Sequence, residues 1–257
     1  MLTNKSPLVT IVMNCFNGEK YLKEAIDSVY DQTYSNWEIV FWDNGSSDNS
    51  ASIAKSYDKK LKYFYTKNTL PLGKVRNMAL KKATGDYVAF LDCDDLYLPE
   101  KTKIQVLEMQ TNNVVLSYGG WIMIDNFGSN LGQYSIKKYI GKMFEKLLSD
   151  YNVNFQTLMI DNNFLKQNNI CFDENLKFSA DHNLVMRIAI KDKIMCIDKT
   201  LAKYRKHNNS LSINKRNDKY EDYSYTINFL QQSGAVNDID NFRNLAKKCL
   251  IKMQIED

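Results

Sequence analysis

The sequence predicts an α/β fold: a mostly parallel central sheet with helices on both faces, followed by a C-terminal helical segment. Three observations predict it. Short apolar runs alternate with helical patterns through the first half of the chain. The chain has 257 residues, which at about 150 per domain allows one large domain with an appendage. Beyond residue 215 only helical periodicity remains.

Taken in order, Leu8-Val-Thr-Ile-Val-Met13 reads as a buried strand. Tyr21, Leu22, Ala25, Ile26, Val29 and Tyr30 then recur at helical spacing. Trp37-Glu-Ile-Val-Phe-Trp42 is the next strand, ended by the turn Asp43-Asn-Gly45, and Ser46, Ser47 or Asp48 is expected to cap the helix that follows. Lys62-Tyr-Phe-Tyr-Thr66 is a third strand before a helix from about Lys74 to Ala83, which Gly85 is expected to stop. Tyr87-Val-Ala-Phe-Leu91 is a fourth, running into Asp92-Cys-Asp-Asp95, and Pro99 suits the opening of a helix. Strands and helices alternating at this spacing imply βαβ units, whose ligands gather beyond the carboxyl ends of the strands. Asn14 to Gly18, Asp43 to Asp48 and Asp92 to Asp95 are therefore the candidate site segments.

The second half is less regular. Val114 to Ile124 is apolar with a break expected at Gly119-Gly120, Lys137 to Leu148 reads as helix, and Asp181 opens a helical pattern carrying Leu184, Val185, Ile188 and Ala189. Tyr225, Ile227, Phe229 and Leu230, then Phe242, Leu245, Ala246 and Leu250, mark two helical segments that could cover the core or pair with a second copy of the chain as a homodimer.

Composition narrows the function. With 44% hydrophobic and 25% charged residues, 10 Gly and 3 Pro, the chain is neither disordered nor collagen-like. A net charge of +4, from 34 basic against 30 acidic residues, is too balanced to imply nucleic acid as the main partner, and none is expected. Cys15, Cys93, Cys171, Cys196 and Cys249 are odd in number and contain no C-x-x-C pair, which argues against a disulfide framework or a zinc knuckle and for a reducing, cytoplasmic setting. No apolar run approaches the roughly 18 residues of a membrane span. A signal peptide is not expected, because polar Asn14, Asn17, Glu19 and Lys20 follow the first apolar run.

Asp92-Cys93-Asp94 carries the sharpest chemistry. Carboxylates two residues apart at the end of an extended segment can point to one side and share a hard cation or a ribose hydroxyl; the bland alternative is that they cap the next turn. A cation held by so few carboxylates completes its shell with water and phosphate oxygens, which suggests a diphosphate ligand. Gly73-Lys74 lacks the rest of a P-loop and no G-x-G-x-x-G occurs, so phosphate-transferring ATPases and nicotinamide enzymes are disfavoured.

Several motifs in order then resemble family 2 glycosyltransferases over about residues 8 to 210: Val9-Thr-Ile-Val-Met-Asn14-Cys-Phe-Asn17, Gln32-Thr33-Tyr34, Asp43-Asn-Gly-Ser-Ser-Asp-Asn-Ser50, Gly73-Lys-Val-Arg76-Asn77, Phe90-Leu-Asp92-Cys-Asp94-Asp95, Phe172-Asp173-Glu174, Asp181-His-Asn-Leu with Arg187, and Tyr204-Arg205-Lys-His207-Asn-Asn-Ser210. The resemblance implies a GT-A fold over residues 1–215, with a nucleotide-binding half to about 118 and an acceptor-binding half from about 119, and a helical extension over 216–257. It implies transfer from a nucleotide-sugar donor, most readily UDP-linked, to a saccharide or lipid-linked saccharide in surface glycan synthesis, with Mg²⁺ or Mn²⁺ and with inversion. The absence of a Q-x-x-R-W motif and of membrane spans implies transfer of a single sugar.

The resemblance puts Asn14, Phe16 and Asp43 against the donor base, Arg76 near the base or diphosphate, Asp92 at the ribose or metal, Asp94 on the metal and Asp95 behind it, with Asn17 and Cys93 also among the donor-binding residues. Asp181 becomes the general base, with Asp173 or Glu174 as the fallback because Ala180 stands where the family often has Glu. His207 could join the metal or diphosphate, or be a surface histidine, while His182 is expected to be structural or solvent-facing. Asp43 could equally be a turn residue. Trp121 is a candidate for stacking on the acceptor. Residues 199–219 hold seven basic residues against Asp218, either a solvated surface or a patch for peripheral contact with an anionic membrane. The competing functions are a sugar-nucleotide hydrolase or nucleotidyltransferase using the same carboxylates, and a nucleotide-sugar binding module without turnover.

Overall fold

The computed structural model describes residues 6–208, 216–234 and 238–255. The first half is β1 (Val9–Cys15), α1 (Glu19–Tyr30), β2 (Trp37–Asp43), α2 (Ser50–Lys55), β3 (Leu61–Tyr65), α3 (Leu72–Leu80), β4 (Tyr87–Asp92), β5 (Leu96–Tyr97) and α4 (Lys101–Asn112). Then come β6 (Leu116–Ile124), β7 (Asn130–Tyr134), β8 (Tyr139–Gly141), α5 (Phe144–Ser149), a single 3-10 turn at Phe155–Thr157, β9 (Met159–Asp161), α6 (Asn162–Gln167), α7 (Ala180–Ala189), β10 (Ile194–Arg205), α8 (Arg216–Gln232) and α9 (Ile239–Ile255).

The strands form one sheet in the order β3-β2-β1-β4-β9-β6-β10-β5, with β7 added on β6 and β8 on β10. The long ladders β1–β2, β1–β4, β2–β3 and β6–β10 are parallel, and the short ones are antiparallel. All seven residues of β1 and of β2 are buried, as expected of parallel strands covered on both faces. Alternate residues enter separate cores. Val12, Val40, Val88 and Phe90 meet α3, α5, α7, α8 and α9 on one face, and Ile11, Met13, Ile39, Phe41 and Leu91 meet α1 and α4 on the other. Leu22, Ala25, Ile26 and Val29 make α1 an amphipathic cover, each wholly buried; burying one such Leu, Ile or Val is worth about 1.5–3 kcal/mol. Ile227 and Leu230 of α8 and Phe242 and Ala246 of α9 lie in the first of these cores, with α8 packed on α7 and α9 on α5 and α8.

Some local expectations change. The first of them concerns α2, whose N-cap is Asn49, without a side-chain cap bond, while Asp48 accepts the Ser50 N–H at 3.0 Å. α3 ends at Leu80, well before Gly85, and α4 begins two residues after Pro99, with Glu100 as its cap. β6 runs straight through Gly119-Gly120. The glycines are there for close approach: a Cβ on Gly119 would lie 2.6 Å from Leu201 Cδ1 and one on Gly120 2.6 Å from Tyr134 O. Residues Tyr139–Gly141 pair antiparallel with Ile194–Cys196, and Gly141 at φ 147° separates them from the short α5, so the helical reading of Lys137 to Leu148 holds only for its end.

Candidate active site

Parallel register sets the polar strand ends side by side. Asn14 stands opposite Trp42 on one side and Asp92 on the other, and Cys15 stands opposite Asp43. Beyond these ends lies a cleft of about 860 Å³ lined by Asn14, Phe16, Asn17, Arg76, Asp92, Cys93, Asp94, Asp95, Asp181 and His207, among others. Ten of the candidate residues, drawn from segments up to 193 positions apart, thus meet in one place. Asp43 does not join them. It is 3% exposed, and its carboxylate accepts the Ser46 N–H and the Tyr63 hydroxyl, each at 2.8 Å; neighbouring Asn44 lines the cleft instead.

The β1–α1 and β2–α2 loops are latched together. Asn17 N–H donates to Ser46 Oγ at 3.0 Å while Asn17 Oδ1 accepts the Ser47 N–H at 2.8 Å, and Glu19 N–H donates to Asp48 Oδ2 while Glu19 Oε2 accepts the Asn49 N–H, each at 2.9 Å. Asn17 takes a left-handed φ of 51°, which Asn tolerates better than most residues, and this turn leaves Phe16 51% exposed at the rim. The buried Nδ2 of Asn14 has no protein partner. A buried donor left unpaired is costly, so it is an available contact for a bound acceptor atom.

Asp92 is held on both sides. Arg76 Nη2 donates to Oδ1 at 3.2 Å, and Gln156 both donates to Oδ2 at 2.7 Å and accepts the Asp92 N–H at 2.9 Å. The Arg76 guanidinium lies 4.0 Å above the Phe155 ring, with its buried Nε unpaired. Arg205 is also turned inward: it donates to Asp94 O at 2.9 Å and Glu24 Oε2 at 2.7 Å, and its N–H reaches Asp95 Oδ1 at 2.6 Å. It is therefore a buried bridge and not part of a basic surface, whereas Lys206 and Lys219 line the cleft. Asn209, Ser210 and Lys215 lie outside the described residues.

Asp94 and His207 meet directly, Oδ2 to Nε2 at 2.8 Å. Burial first, and then the neighbouring Asp92, push the Asp94 carboxyl above its ordinary range, against the pull of His207. A carboxylate beside an imidazole fits a hard cation that takes its remaining ligands from diphosphate and water, whereas both Asp92 oxygens are engaged by Arg76 and Gln156. Among the described residues there is no group of three or more His, Cys, Asp or Glu placed to hold a metal, so the protein would supply only this pair. Asp181, in the first turn of α7, has its carboxyl raised by burial, an effect that Arg76 opposes. Asp173 and Glu174 do not line the cleft; they are bonded to Tyr225 and Asn77. His182 is 1% exposed, so it is structural. Trp121 stacks on Tyr134 with centroids 4.8 Å apart and does not line the cleft. Gln156 and the inward role of Arg205 escape sequence reasoning, because no period or motif marks a residue whose partner is 64 or 111 positions away.

Comparison with known proteins gives this cleft a context. The family model for Glycosyl transferase family 2 matches residues 10–194. The Escherichia coli protein named UDP-Glc:alpha-D-GlcNAc-diphosphoundecaprenol beta-1,3-glucosyltransferase WfgD is 31% identical over 211 residues, 81% of this chain and 81% of that one. An uncharacterized glycosyltransferase of Rickettsia felis is 34% identical over 200 residues, 77% of this chain and 33% of its own length. The chain spans about a third of the length of the R. felis and R. conorii relatives. Among solved structures, Staphylococcus aureus TarS 1-349 in complex with UDP-GlcNAc aligns with a TM-score of 0.77 at 22% identity, over 94% of this chain and 71% of that one. A mannosyltransferase from Pyrobaculum calidifontis in complex with GDP-Man and Mn²⁺ aligns with a TM-score of 0.70 at 14% identity, over 98% and 71%. These likenesses carry the fold.

Proposed function

The chain belongs to glycosyl transferase family 2 and has the GT-A fold, and from that premise we propose that it moves a single sugar from a nucleotide-diphosphate donor, UDP-linked by preference, to a hydroxyl of a saccharide or lipid-linked saccharide, with inversion. The observation that carries the reading is that Asp181 lines the same cleft as Arg76, Asp92 and Asp94, which supports one site for both base and diphosphate. The UDP preference is supported by the donors in the names of the E. coli relative and the TarS complex. No helix among the described residues is long and apolar enough to cross a membrane; a lipid-linked acceptor would be met at the membrane surface.

In this mechanism Asn14 and Phe16 receive the base, and Arg76 presents its fork to the diphosphate while it fixes Asp92. Gln156 and Arg76 together hold the Asp92 carboxylate in one orientation. Asp94 and His207 would hold Mg²⁺ or Mn²⁺, which would offset the charge on the departing diphosphate. Asp181 accepts the proton of the acceptor hydroxyl as that oxygen forms the new bond to the anomeric carbon and the diphosphate leaves from the opposite face. Its raised pKa suits this task, since a base works best with a pKa closer to the operating pH. Much of the acceleration would come from holding the two substrates in line.

A thermal-shift screen of UDP, GDP and dTDP sugars with and without Mn²⁺ tests the donor, because a ligand that binds only the native chain stabilises it by mass action. Product analysis then tests the reaction: release of nucleoside diphosphate together with a glycosylated acceptor supports transfer. Nucleoside monophosphate would favour a hydrolase or nucleotidyltransferase, and donor binding without any turnover would favour a binding module. The absence of a shift with every donor would sink the proposal.

A further inference from the structure

The segment that carries Asp181 is held from beyond the family-matched region, which ends at residue 194. Asp222 of α8 is 5% exposed. Its Oδ2 accepts the backbone N–H of Phe178 at 2.7 Å and of Ser179 at 2.8 Å, and its Oδ1 accepts that of Lys177 at 3.3 Å. Ser179 is the N-cap of α7 and makes no side-chain cap bond of its own. A helix start leaves backbone N–H groups without intrahelical partners and favours negative charge. Asp222 therefore brings negative charge to this helix end and holds the three residues that lead into α7, Lys177 to Ser179, by their backbone N–H groups. The same helix grips the segment elsewhere. Tyr225 Oη donates to Asp173 Oδ2 at 2.9 Å, Asn183 Nδ2 donates to Thr226 Oγ1 at 3.2 Å, and Lys177 Nζ reaches Asp218 Oδ1 at 3.3 Å. Lys177, Phe178 and Asp181 all line the cleft.

We propose that Asp222 is a positioning residue for sugar transfer: through the Lys177–Ser179 backbone it sets where the first turn of α7 delivers the Asp181 carboxylate. The inference rests on the reading of Asp181 as base. Such a base must come within about 2.6–3.2 Å of the proton it takes, and a misplacement of about 1 Å can cost roughly a hundredfold in rate. A buried carboxylate with three backbone donors is a stiffer support than an exposed turn. α8 thereby becomes part of the catalytic apparatus while touching neither donor nor acceptor through Asp222.

The test uses the full chain with Asp222→Asn, Asp222→Ala and Asp222→Glu. It measures UDP binding in the presence of Mn²⁺ by calorimetry, amide exchange over residues 177–181, and kcat and KM on a donor–acceptor pair that the wild type turns over. In Asp222→Asn an amide nitrogen faces backbone donors in place of one oxygen. Exchange over 177–181 should quicken, kcat should fall by about tenfold or more, and UDP affinity should stay within about twofold. Asp222→Glu should recover part of the lost kcat, and Asp222→Ala should behave as Asp222→Asn or worse. Unchanged kcat in a folded Asp222→Asn would overturn the proposal, and so would a parallel fall of kcat, UDP affinity and thermal midpoint, the signature of a merely structural role. A wild type that transfers no sugar from any donor would overturn the glycosyltransferase reading and this inference with it; failure of the variants alone leaves that reading standing.

Discussion

The two largest influences on the Asp181 carboxyl act in opposite directions: burial raises its pKa, and the Arg76 guanidinium lowers it, burial being the stronger. A base must be unprotonated to work, so kcat should rise with pH through an acid limb lying above the ordinary carboxylate range, and Arg76→Met should move that limb further up while weakening donor binding. Asp181→Asn should lose about 10²–10⁴-fold in kcat and bind UDP as before. A wild-type profile without an acid limb, or an Asp181→Asn variant close to wild-type turnover, would refute this assignment. At this scale the sequence makes legible the residues that sit in ordered motifs: Asp92, Asp94, Arg76, Asp181 and His207 all line the cleft. What it hides is direction. Asp43 turns its carboxylate to Tyr63 and Ser46, Arg205 turns inward to Asp94 and Glu24, and Gln156 finds Asp92 across 64 positions. Only the folded chain supplies those neighbours.

Among elements, short apolar runs locate β1 to β4 and a period of 3.6 locates α1 and α7 within a few residues, because the burial of each is written locally. The short antiparallel strands β5, β8 and β9 are not legible, since two or three residues carry no period, and their ladders come from distant partners. Glycines mislead for a related reason. Gly119-Gly120 reads as a break, yet both residues lie in β6 and admit close neighbours. Gly85 reads as a helix stop, yet its place is set by contact between β1 and the entry to β4. Its N–H donates to Thr10 Oγ1 at 2.9 Å, and a Cβ there would lie 2.6 Å from Leu8 O and 2.7 Å from Thr10 N. Those obstacles are backbone atoms in the centre of the sheet and cannot swing aside. Gly85→Ala should therefore lower unfolding free energy by roughly 1–3 kcal/mol, read as a lower urea midpoint at unchanged slope. A midpoint equal to wild type would show that the β1–β4 entry yields more easily than its packing implies.

Over the whole molecule, two buried basic groups, one on each face of the sheet, have their pKa depressed by burial. His182 of α7 stacks on Tyr223 and meets Tyr151 edge-on, with both ring nitrogens lacking a partner, and burial pushes its pKa down to about 3. Lys101 of α4, with no exposed surface, touches Gln105 Oε1 at 2.6 Å and the Tyr97 ring, and burial pushes its pKa down to about 7. A base with a depressed native pKa leaves the unfolded chain binding more protons, so stability rises with pH between the two pKa values. For His182 that window runs from about 3 to 6.5, and for Lys101 from about 7 to 10.5. Within each window the group contributes a slope of up to about 1.4 kcal/mol per pH unit. His182→Phe should flatten the loss of stability on acidification below pH 6.5, and Lys101→Met should flatten the rise between pH 7 and 9.5. Because the cost of keeping Lys101 neutral is fully present at pH 7 and fades toward 10.5, Lys101→Met should also gain more stability at pH 7 than at pH 9.5. Urea unfolding across pH 4 to 9.5 measures both slopes, and curves that run parallel to wild type in either window would mean that the group there keeps its ordinary protonation inside the fold.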